Sequence, residues 1–349
     1  MITSNNFKTR LDSLIKRKTI QPIIYTEGEE ISFEQAKFNE TLFGLESTLL
    51  ESISKSQDSN LIKYINQAAE EVNERYTEIS YEEGERIQNS LSKDIDDIIF
   101  EYQGSVSNNT HIKAASDLDL LVILEKSYPI TKENLFFLKN DCHSNIEVRF
   151  PKVNIERGAK SLKLTGGSLK RDIDVVPSHW DEMNKDKKGI IILDEDKNEK
   201  VTNTPFHHNY LLGKKDSLCN SYYKKSIRLI KNLKVDLENE IGNQINISSY
   251  EIVALLYHIS NEKFLLLNKN TDLIPMLVKE LNLILLRSDL KELKVPDESR
   301  KIIKDSATIN GLKVIINELT NILNELEEET EMGNITYSSI KSTPKAWGN

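Results

Sequence analysis

The segment SDLDLLVIL at residues 116–124 decides the fold of this protein. Its run Leu118–Leu124, apolar except for Asp119, is typical of a central β-strand that is covered on both faces. Asp117 and Asp119 stand two residues apart at the start of this strand, so both side chains project from the same face. A buried strand accepts two like charges on one face only when something positive neutralises them. The pattern therefore predicts a divalent cation, and Mg²⁺ fits because it prefers carboxylate oxygens and bridges them to phosphates.

A third acidic residue comes from the segment DIDVVP at residues 172–177. Asp174 stands at the head of this second apolar run. We predict a strand over Leu169–Val176 that follows Leu162–Leu164 through a hairpin turn at Gly166-Gly167. If the two strands are neighbours, Asp174 completes a site for two metal ions about 4 Å apart. Asp172 shares the same strand face, but the Val-Val-Pro context favours Asp174, and we interpret Asp172 as a neighbour without a metal role.

A Gly-Ser pair, Gly104-Ser105, follows the short predicted strand Ile98–Gln103. Glycine at a strand end lets the backbone approach a phosphate closely, and the serine hydroxyl and amide can then donate to it. Gly-Ser, then Asp-x-Asp, then a lone Asp on a later strand is the signature of the nucleotidyltransferase fold, although Gly-Ser alone is weak. Gly167-Ser168 lacks a following Asp-x-Asp and is predicted to be a hairpin turn. The alternative is that Gly104-Ser105 is also a turn and the aspartates only solubilise strand edges.

The second half of the chain has apolar spacing that predicts helices. Lys224, Arg228 and Lys231 share one helical stripe, where a triphosphate between the cations would be stabilising. The alternative interpretation is a solvated helix face. Ser249 and Tyr250 fall in the first turn of the next predicted helix, where free amides attract anions and the tyrosine ring offers a face to a nucleobase. Core packing is the alternative role for this tyrosine.

Length and composition limit the class of protein. The 349 residues predict one large bilobed domain or two closely joined ones. The net charge of −9 argues against non-specific binding to duplex DNA, which depends on neutralising phosphates. No apolar run is long enough to span a membrane, and the N-terminal residues do not resemble an export signal. The two cysteines cannot form a disulfide framework, so we expect a cytoplasmic protein without a membrane partner.

Taken together, these motifs resemble a known family over about residues 81–259. The segments that carry the resemblance are QGS at 103–105, THIK at 110–113, SDLDL at 116–120, DIDVVP at 172–177, TPFHH at 204–208, RLIKNLK at 228–234 and SSY at 248–250. In this order they resemble the cGAS/DncV-like nucleotidyltransferases (CD-NTases) of bacteria. The resemblance implies an α+β protein of the nucleotidyltransferase (polymerase β-like) fold. In this fold a mixed β-sheet core lobe and a helical C-terminal lobe enclose the active site in a cleft.

Three domains follow from this interpretation. Residues 1–205 would contain scaffold helices and the nucleotidyltransferase core, residues 206–330 the helical C-terminal lobe, and residues 331–349 a flexible tail. Some members of the family occur beside ubiquitin-transfer-like enzymes that act on the C-terminus of the synthase. The tail would suit such a partner or an operon-encoded effector, although a plain flexible tail is the alternative.

The resemblance also implies an activity. Such an enzyme joins nucleoside triphosphates (ATP, with GTP, UTP or CTP) into a cyclic di- or trinucleotide second messenger, releases pyrophosphate, and belongs to an anti-phage (CBASS) system. Asp117, Asp119 and Asp174 would bind two Mg²⁺ ions, or Mn²⁺, and the third would help to activate the acceptor hydroxyl. Ser105 would contact the triphosphate, Lys231 a phosphate, and the Ser-Tyr pair phosphate and base. The nucleotide-binding residues that we predict are Gly104, Ser105, Arg228, Lys231, Ser249 and Tyr250.

Some features remain open at this point. His207-His208 has no nearby cysteines and does not replace the zinc cluster of the animal DNA sensors, so activation by DNA is not expected. Base discrimination would depend on side chains around Asn203 and Thr204. Two alternative functions are a nucleotidyltransferase that modifies a protein, a tRNA or a small molecule, and a nucleotide-binding regulator without chemistry.

Overall fold

The computed structural model describes residues 5–17, 56, 58–112, 117–125 and 128–332. The helices of these ranges are α1 (Asn5–Lys16), α2 (Asn60–Ala69), α3 (Glu74–Leu91), α4 (Gly104–Ser107), α5 (Lys132–Arg149), α6 (Pro205–Leu218), α7 (Tyr222–Ile241), α8 (Ser249–Tyr257), α9 (Asn261–Leu265), α10 (Leu273–Leu285) and α11 (Ser306–Met332). The strands are β1 (Ile98–Gln103), β2 (Leu118–Leu124), β3 (Asn154–Arg157), β4 (Leu162–Thr165), β5 (Ile173–Trp180), β6 (Ile190–Asp194) and β7 (Glu199–Asn203).

The strands form one mixed sheet in which β2 and β5 are the parallel central pair. Its main order is β1-β2-β5-β4-β3, and β6 joins the same edge of β5 as β4, further along the strand, before pairing with β7. The parallel pair is connected through α5 and the β3–β4 hairpin, which is the long crossover that parallel strands require. This arrangement places the starts of β2 and β5 side by side.

Each face of the central strands has its own apolar cluster. On one face, Leu118, Leu120 and Val122 pack with Ile87 of α3 and Cys142 of α5. On the other face, the residues that pack together are Leu121, Ile123, Val176, Ile190 and Ile192. Because side chains alternate along a strand, Asp117 and Asp119 belong to the second face. A strand buried on both faces is what the continuous apolar run predicted.

A larger apolar cluster lies in the helices that follow the sheet, and α1 and α2 pack into it. Buried ion pairs join α1 to these later helices: Arg10 bonds Glu240 and Glu318 at 2.6 Å each, and Arg17 pairs with Asp236. The first helix of the chain is therefore part of the helical layer rather than of the sheet. Of the described helices, none has the length and apolar character to cross a lipid bilayer.

Two sequence-based boundaries need comment. The second aspartate strand was predicted to start at Leu169, but β5 starts at Ile173, because the turn at Gly166-Gly167, with φ of 67° and 61°, continues through residues 168–172. The predicted tail, residues 331–349, lies outside the described residues from position 333 onward, and α11 includes its first two positions.

Candidate active site

One row of residues crosses the sheet where β2 and β5 begin. The strand register pairs Gln103 of β1 with Asp119, Asp119 with Asp174, Asp174 with Lys163 of β4, and Lys163 with Glu156 of β3. Register partners project to the same face of a sheet. The carboxylates of Asp119 and Asp174 are therefore neighbours on adjacent strands, which is the condition on which the prediction of a shared site depended.

Asp117 joins this pair from the position immediately before β2, two residues ahead of Asp119. Burial, followed by the charges of Asp174 and then Asp117, raises the pKa of Asp119 to about 7. Burial, with Asp117 as the largest neighbouring charge, raises the pKa of Asp174 to about 6. The charge of Asp117 thus opposes the ionisation of both Asp119 and Asp174. The structure therefore brings the three predicted aspartates into one electrostatically coupled cluster.

The donor set of this cluster suits a hard divalent cation. Oδ1 of Asp174 is buried and has no hydrogen-bond partner among the described residues, which is costly for an acidic oxygen unless a cation or proton occupies the space beside it. In the described ranges, no three acidic, cysteine or histidine side chains already stand in a metal-holding arrangement. Lys163 Nζ donates to Asp117 Oδ2 at 2.8 Å. The carboxylate oxygens of the three aspartates are the kind of donor that Mg²⁺ and Mn²⁺ prefer.

Gly104 stands directly against the cluster. Its φ of +79° lies in the left-handed region that favours glycine, and a Cβ built on it would lie 1.9 Å from Oδ2 of Asp119. Gly104 also opens α4, so Ser105 lies in the first turn of this short helix beside Asp119. The carbonyl of Ser105 accepts a hydrogen bond from the amide of Thr110 at 2.9 Å, which closes the loop. Glycine is required here by space as well as by backbone conformation.

The two buried cations of α7 hold this loop from the helical side. Lys231 Nζ donates to the carbonyl of Thr110 at 2.8 Å, and Arg228 donates to the carbonyls of Asn109 at 2.8 Å and Ala69 at 2.9 Å. Burial, with the like charge of Arg228 second, lowers the pKa of Lys231 to about 8. Interpretation as a solvated helix face is wrong for both side chains, which are buried. Their phosphate contacts remain predictions.

Ser249 and Tyr250 open α8 as predicted, after a capping box between Ser248 and Glu251. The ring of Tyr250 stacks on His208 at 5.0 Å between centroids, and the guanidinium of Arg300 lies 4.2 Å from its centroid. No hydrogen bond or ring contact within the described ranges links Tyr250 to the three aspartates. A nucleobase would have to share or displace one of these two contacts.

The predicted base-reading segment lies at the start of α6. Thr204 Oγ1 donates to Asp297 Oδ2 at 2.7 Å, and the Thr204 amide donates to the side chain of Asn203 at 3.0 Å. Asp297 belongs to the chain segment that carries Arg300. The two residues therefore connect the sheet to the surroundings of Tyr250.

Two cations of the site were missed by sequence reasoning. Lys163 is held to Asp117 as described, and Arg171 is buried, with 3% exposure. All three guanidinium nitrogens of Arg171 are buried without a hydrogen-bond partner among the described residues. Burial lowers the pKa of Arg171 to about 10. The negative charge of Asp117, which has the strongest effect among the neighbouring charges, opposes this decrease. No motif marks either residue, because their positions depend on which strands pair.

His111 gives the loop a pH-dependent stability. Burial, and after it the positive charge of Arg171, lowers its pKa to about 3, while Nε2 contacts Thr77 Oγ1 at 3.1 Å. The unfolded imidazole titrates near pH 6.5, so this contribution is complete above pH 6.5 and is lost as the pH falls towards 3. We expect urea unfolding to show a loss of ~2 kcal/mol from this group between pH 7.5 and 5.0.

The matched control is His143, whose ring is partly exposed on α5. His111→Asn should unfold more easily at pH 7.5 yet lose less stability on acidification than the wild type. His143→Asn should keep the wild-type slope. A His111→Asn slope as steep as that of the wild type would contradict the assignment.

Comparison with known proteins places this geometry in a family. The sequence profile of the cGAS/DncV-like nucleotidyltransferase C-terminal helical domain matches residues 212–324. The cyclic dinucleotide synthase CdnE of Yersinia aleksiciae is 35% identical over 285 residues, which cover 72% of this chain and 73% of that protein. The chain belongs to the cGAS/DncV-like nucleotidyltransferases. It is therefore an enzyme of nucleotidyl transfer, and the predicted family and enzyme class are confirmed.

Further relatives agree at the level of fold and family. A c-di-GMP synthase of a Lachnospiraceae bacterium is 28% identical over 64% of this chain and 76% of its own length. The solved structure of a STING-associated CdnE c-di-GMP synthase from Capnocytophaga granulosa has a TM-score of 0.76 and 26% identity, covering 93% of this chain and 99% of that one. The predicted fold class is confirmed. Members of the family use divalent metal ions generally, which agrees with the oxygen donors described above.

Proposed function

We propose that this protein joins two nucleoside triphosphates into a cyclic dinucleotide by two successive nucleotidyl transfers, as a signal in anti-phage defence in the cytoplasm. The observation that carries the proposal is the register of β2 and β5. It sets Asp119 beside Asp174. Gly104 of the Gly-Ser loop lies so close to the Asp119 carboxylate that there is no space for a Cβ. The relatives described above, whose names are those of cyclic dinucleotide or c-di-GMP synthases, support the choice of product.

The reaction would be an in-line attack of a ribose hydroxyl on an α-phosphate, with pyrophosphate leaving. Asp174 is suited to accept the hydroxyl proton, because its Oδ1 is buried without a hydrogen-bond partner among the described residues. Ser105 and the amides of α4 would orient the triphosphate. Lys231 would stabilise the triphosphate from the helical side. Its positive charge also favours the ionised form of Asp119.

Asp117, Asp119 and Asp174 would hold the metal. Two Mg²⁺ ions bound there would increase the acidity of the attacking hydroxyl and stabilise the leaving pyrophosphate. The chain itself contributes fixed positions: the sheet register sets the carboxylates, and α7 fixes the Gly-Ser loop through the carbonyls of residues 109 and 110.

Product analysis tests the proposal directly. The purified protein is incubated with α-labelled GTP alone, ATP alone and each pair of triphosphates, with Mg²⁺ or Mn²⁺. The products are then treated with phosphatase and linkage-specific nucleases. We expect a phosphatase-resistant cyclic dinucleotide. GTP is the first substrate to examine, because several relatives are c-di-GMP synthases.

Asp119→Asn serves as the inactive control. Label that appears only on protein, tRNA or a small acceptor would favour the alternative of a modifying nucleotidyltransferase. Absence of metal-dependent pyrophosphate release from every triphosphate pair would contradict the proposal. The same assay with and without candidate operon partners would test whether residues 331–349 are a substrate of such a partner.

A further inference from the structure

Lys163 contacts the carboxylate cluster from two strands away. It belongs to β4, and Asp117 immediately precedes β2, with β5 between the two strands, so the two backbones lie about 10 Å apart at ordinary strand spacing. Its ammonium nevertheless donates to Asp117 Oδ2 at 2.8 Å. The side chain must therefore cross over β5, on the face that carries Asp172 and Asp174.

The charges around the ammonium agree with this path. The carboxylates that raise the pKa of Lys163 are Asp117 first, then Asp174 and Asp172. The ammonium occupies a hydrogen-bonding position at Asp117 Oδ2, an oxygen that a metal ion ligated by Asp117 would use. A bound ammonium and a divalent ion cannot take the same position at this oxygen.

Arg171, a second cation near the cluster, is not free to move away from it. Arg171 is 3% exposed, and its guanidinium nitrogens are buried without a hydrogen-bond partner among the described residues. Lys163 is 40% exposed on a flexible stem and can leave. Its register partner on β3 is the exposed Glu156, which offers the ammonium a second carboxylate on the same face. Arg171 is therefore a fixed charge, and Lys163 is a displaceable one.

We propose that Lys163 is a positioning residue of the metal site, an internal counter-ion that neutralises Asp117 in the empty enzyme and must be displaced before a divalent metal binds. The inference rests on the proposed function only in assigning the three aspartates as metal ligands. Metal binding to the empty site is weakened by this competition. A triphosphate that brings its own oxygens to the metal compensates for it, so the metal enters with the nucleotide.

Metal titration of the nucleotide-free protein tests this, with Mn²⁺ alone as the probe and electron paramagnetic resonance to count free Mn²⁺. In Lys163→Met we expect a Mn²⁺ dissociation constant about threefold to tenfold lower than in the wild type at low ionic strength. Lys163→Arg keeps the cation and should bind Mn²⁺ like the wild type. Lys160→Met is the matched control: its ammonium pairs with Asp194 at 3.3 Å and is similarly exposed, at 46%.

Thermal unfolding gives a second measurement. Without metal, Lys163→Met should melt at a lower temperature than the wild type at pH 8, because the three carboxylates then lose one of their neutralising cations, and Mn²⁺ should raise its Tm by more. Lys163→Gln should behave in the same direction. Equal or weaker Mn²⁺ binding by Lys163→Met, or tightening of the same size in Lys160→Met, would overturn the inference. If the wild type itself binds no Mn²⁺ and forms no product, the proposed function fails instead.

Discussion

Asp174→Asn should lower turnover by roughly 10³-fold or more while leaving the fold intact. Asparagine keeps the shape of the side chain but cannot accept the hydroxyl proton and is a poor metal ligand. The raised pKa of Asp174 shows that its charge is unfavourable in the folded protein, so removing that charge should leave the Tm at pH 7.5 unchanged or higher. Pyrophosphate release and a melting curve, measured on the same preparation, check both expectations.

Asp172→Asn is the matched control for this variant. Asp172 carries the same charge on the same segment, and its pKa is also raised by burial, but it precedes β5 and has no register partner in the row of Asp119. We expect its turnover to stay within about threefold of the wild type, since its effect on the site is long-range electrostatics alone. An Asp174→Asn enzyme with a tenth of normal activity, or an Asp172→Asn enzyme as impaired as Asp174→Asn, would refute the site assignment.

Gly104→Ala should reduce activity by roughly 100-fold or more, because a displacement of about 1 Å in a catalytic group can cost this much. The new Cβ would lie 1.9 Å from Oδ2 of Asp119, so either the carboxylate or the Gly-Ser loop must move. The positive φ adds backbone strain of ~1–2 kcal/mol. Turnover and triphosphate KM, measured with the free energy of unfolding, separate the effect on the site from the effect on stability.

Gly166→Ala reproduces the strain without the collision. Gly166 has a φ of +67° and no atom within 4 Å of the position of a Cβ. Its alanine variant should lose a similar amount of stability and keep nearly full activity. Equal losses of activity in the two variants would mean that backbone strain, and not the contact with Asp119, explains the effect at Gly104.

The loop between β1 and β2 connects the two parts of the site. Its carbonyls at residues 109 and 110 are held by Arg228 and Lys231 of α7, while its first residue, Gly104, contacts Asp119 of β2. A movement of α7 relative to the sheet would therefore shift the Gly-Ser segment against the carboxylates.

Strong local patterns were predicted well. The apolar run at 118–124 could only be a covered strand, and the Gly-Gly turn at 166–167 matched two positive φ values. The start of β5 was placed four residues too early because Leu169 continues the apolar pattern, although it belongs to the turn that packs against the core. The sequence predicted the cationic stripe of α7, but it did not predict that Arg228 and Lys231 are buried. A periodic pattern does not say which face of a helix a neighbouring segment covers.

The sequence by itself was enough to select the three aspartates and the Gly-Ser loop as candidate site residues and to identify the family. These inferences depend on residue type and on spacing along one strand or turn. The tertiary structure alone decided that Asp119 and Asp174 are register partners, that Lys163 crosses β5 to reach Asp117, and that Arg171 is buried beside them. Pairing between strands is set by packing across the whole sheet, so the side chains that neutralise the carboxylates come from positions that no local pattern marks.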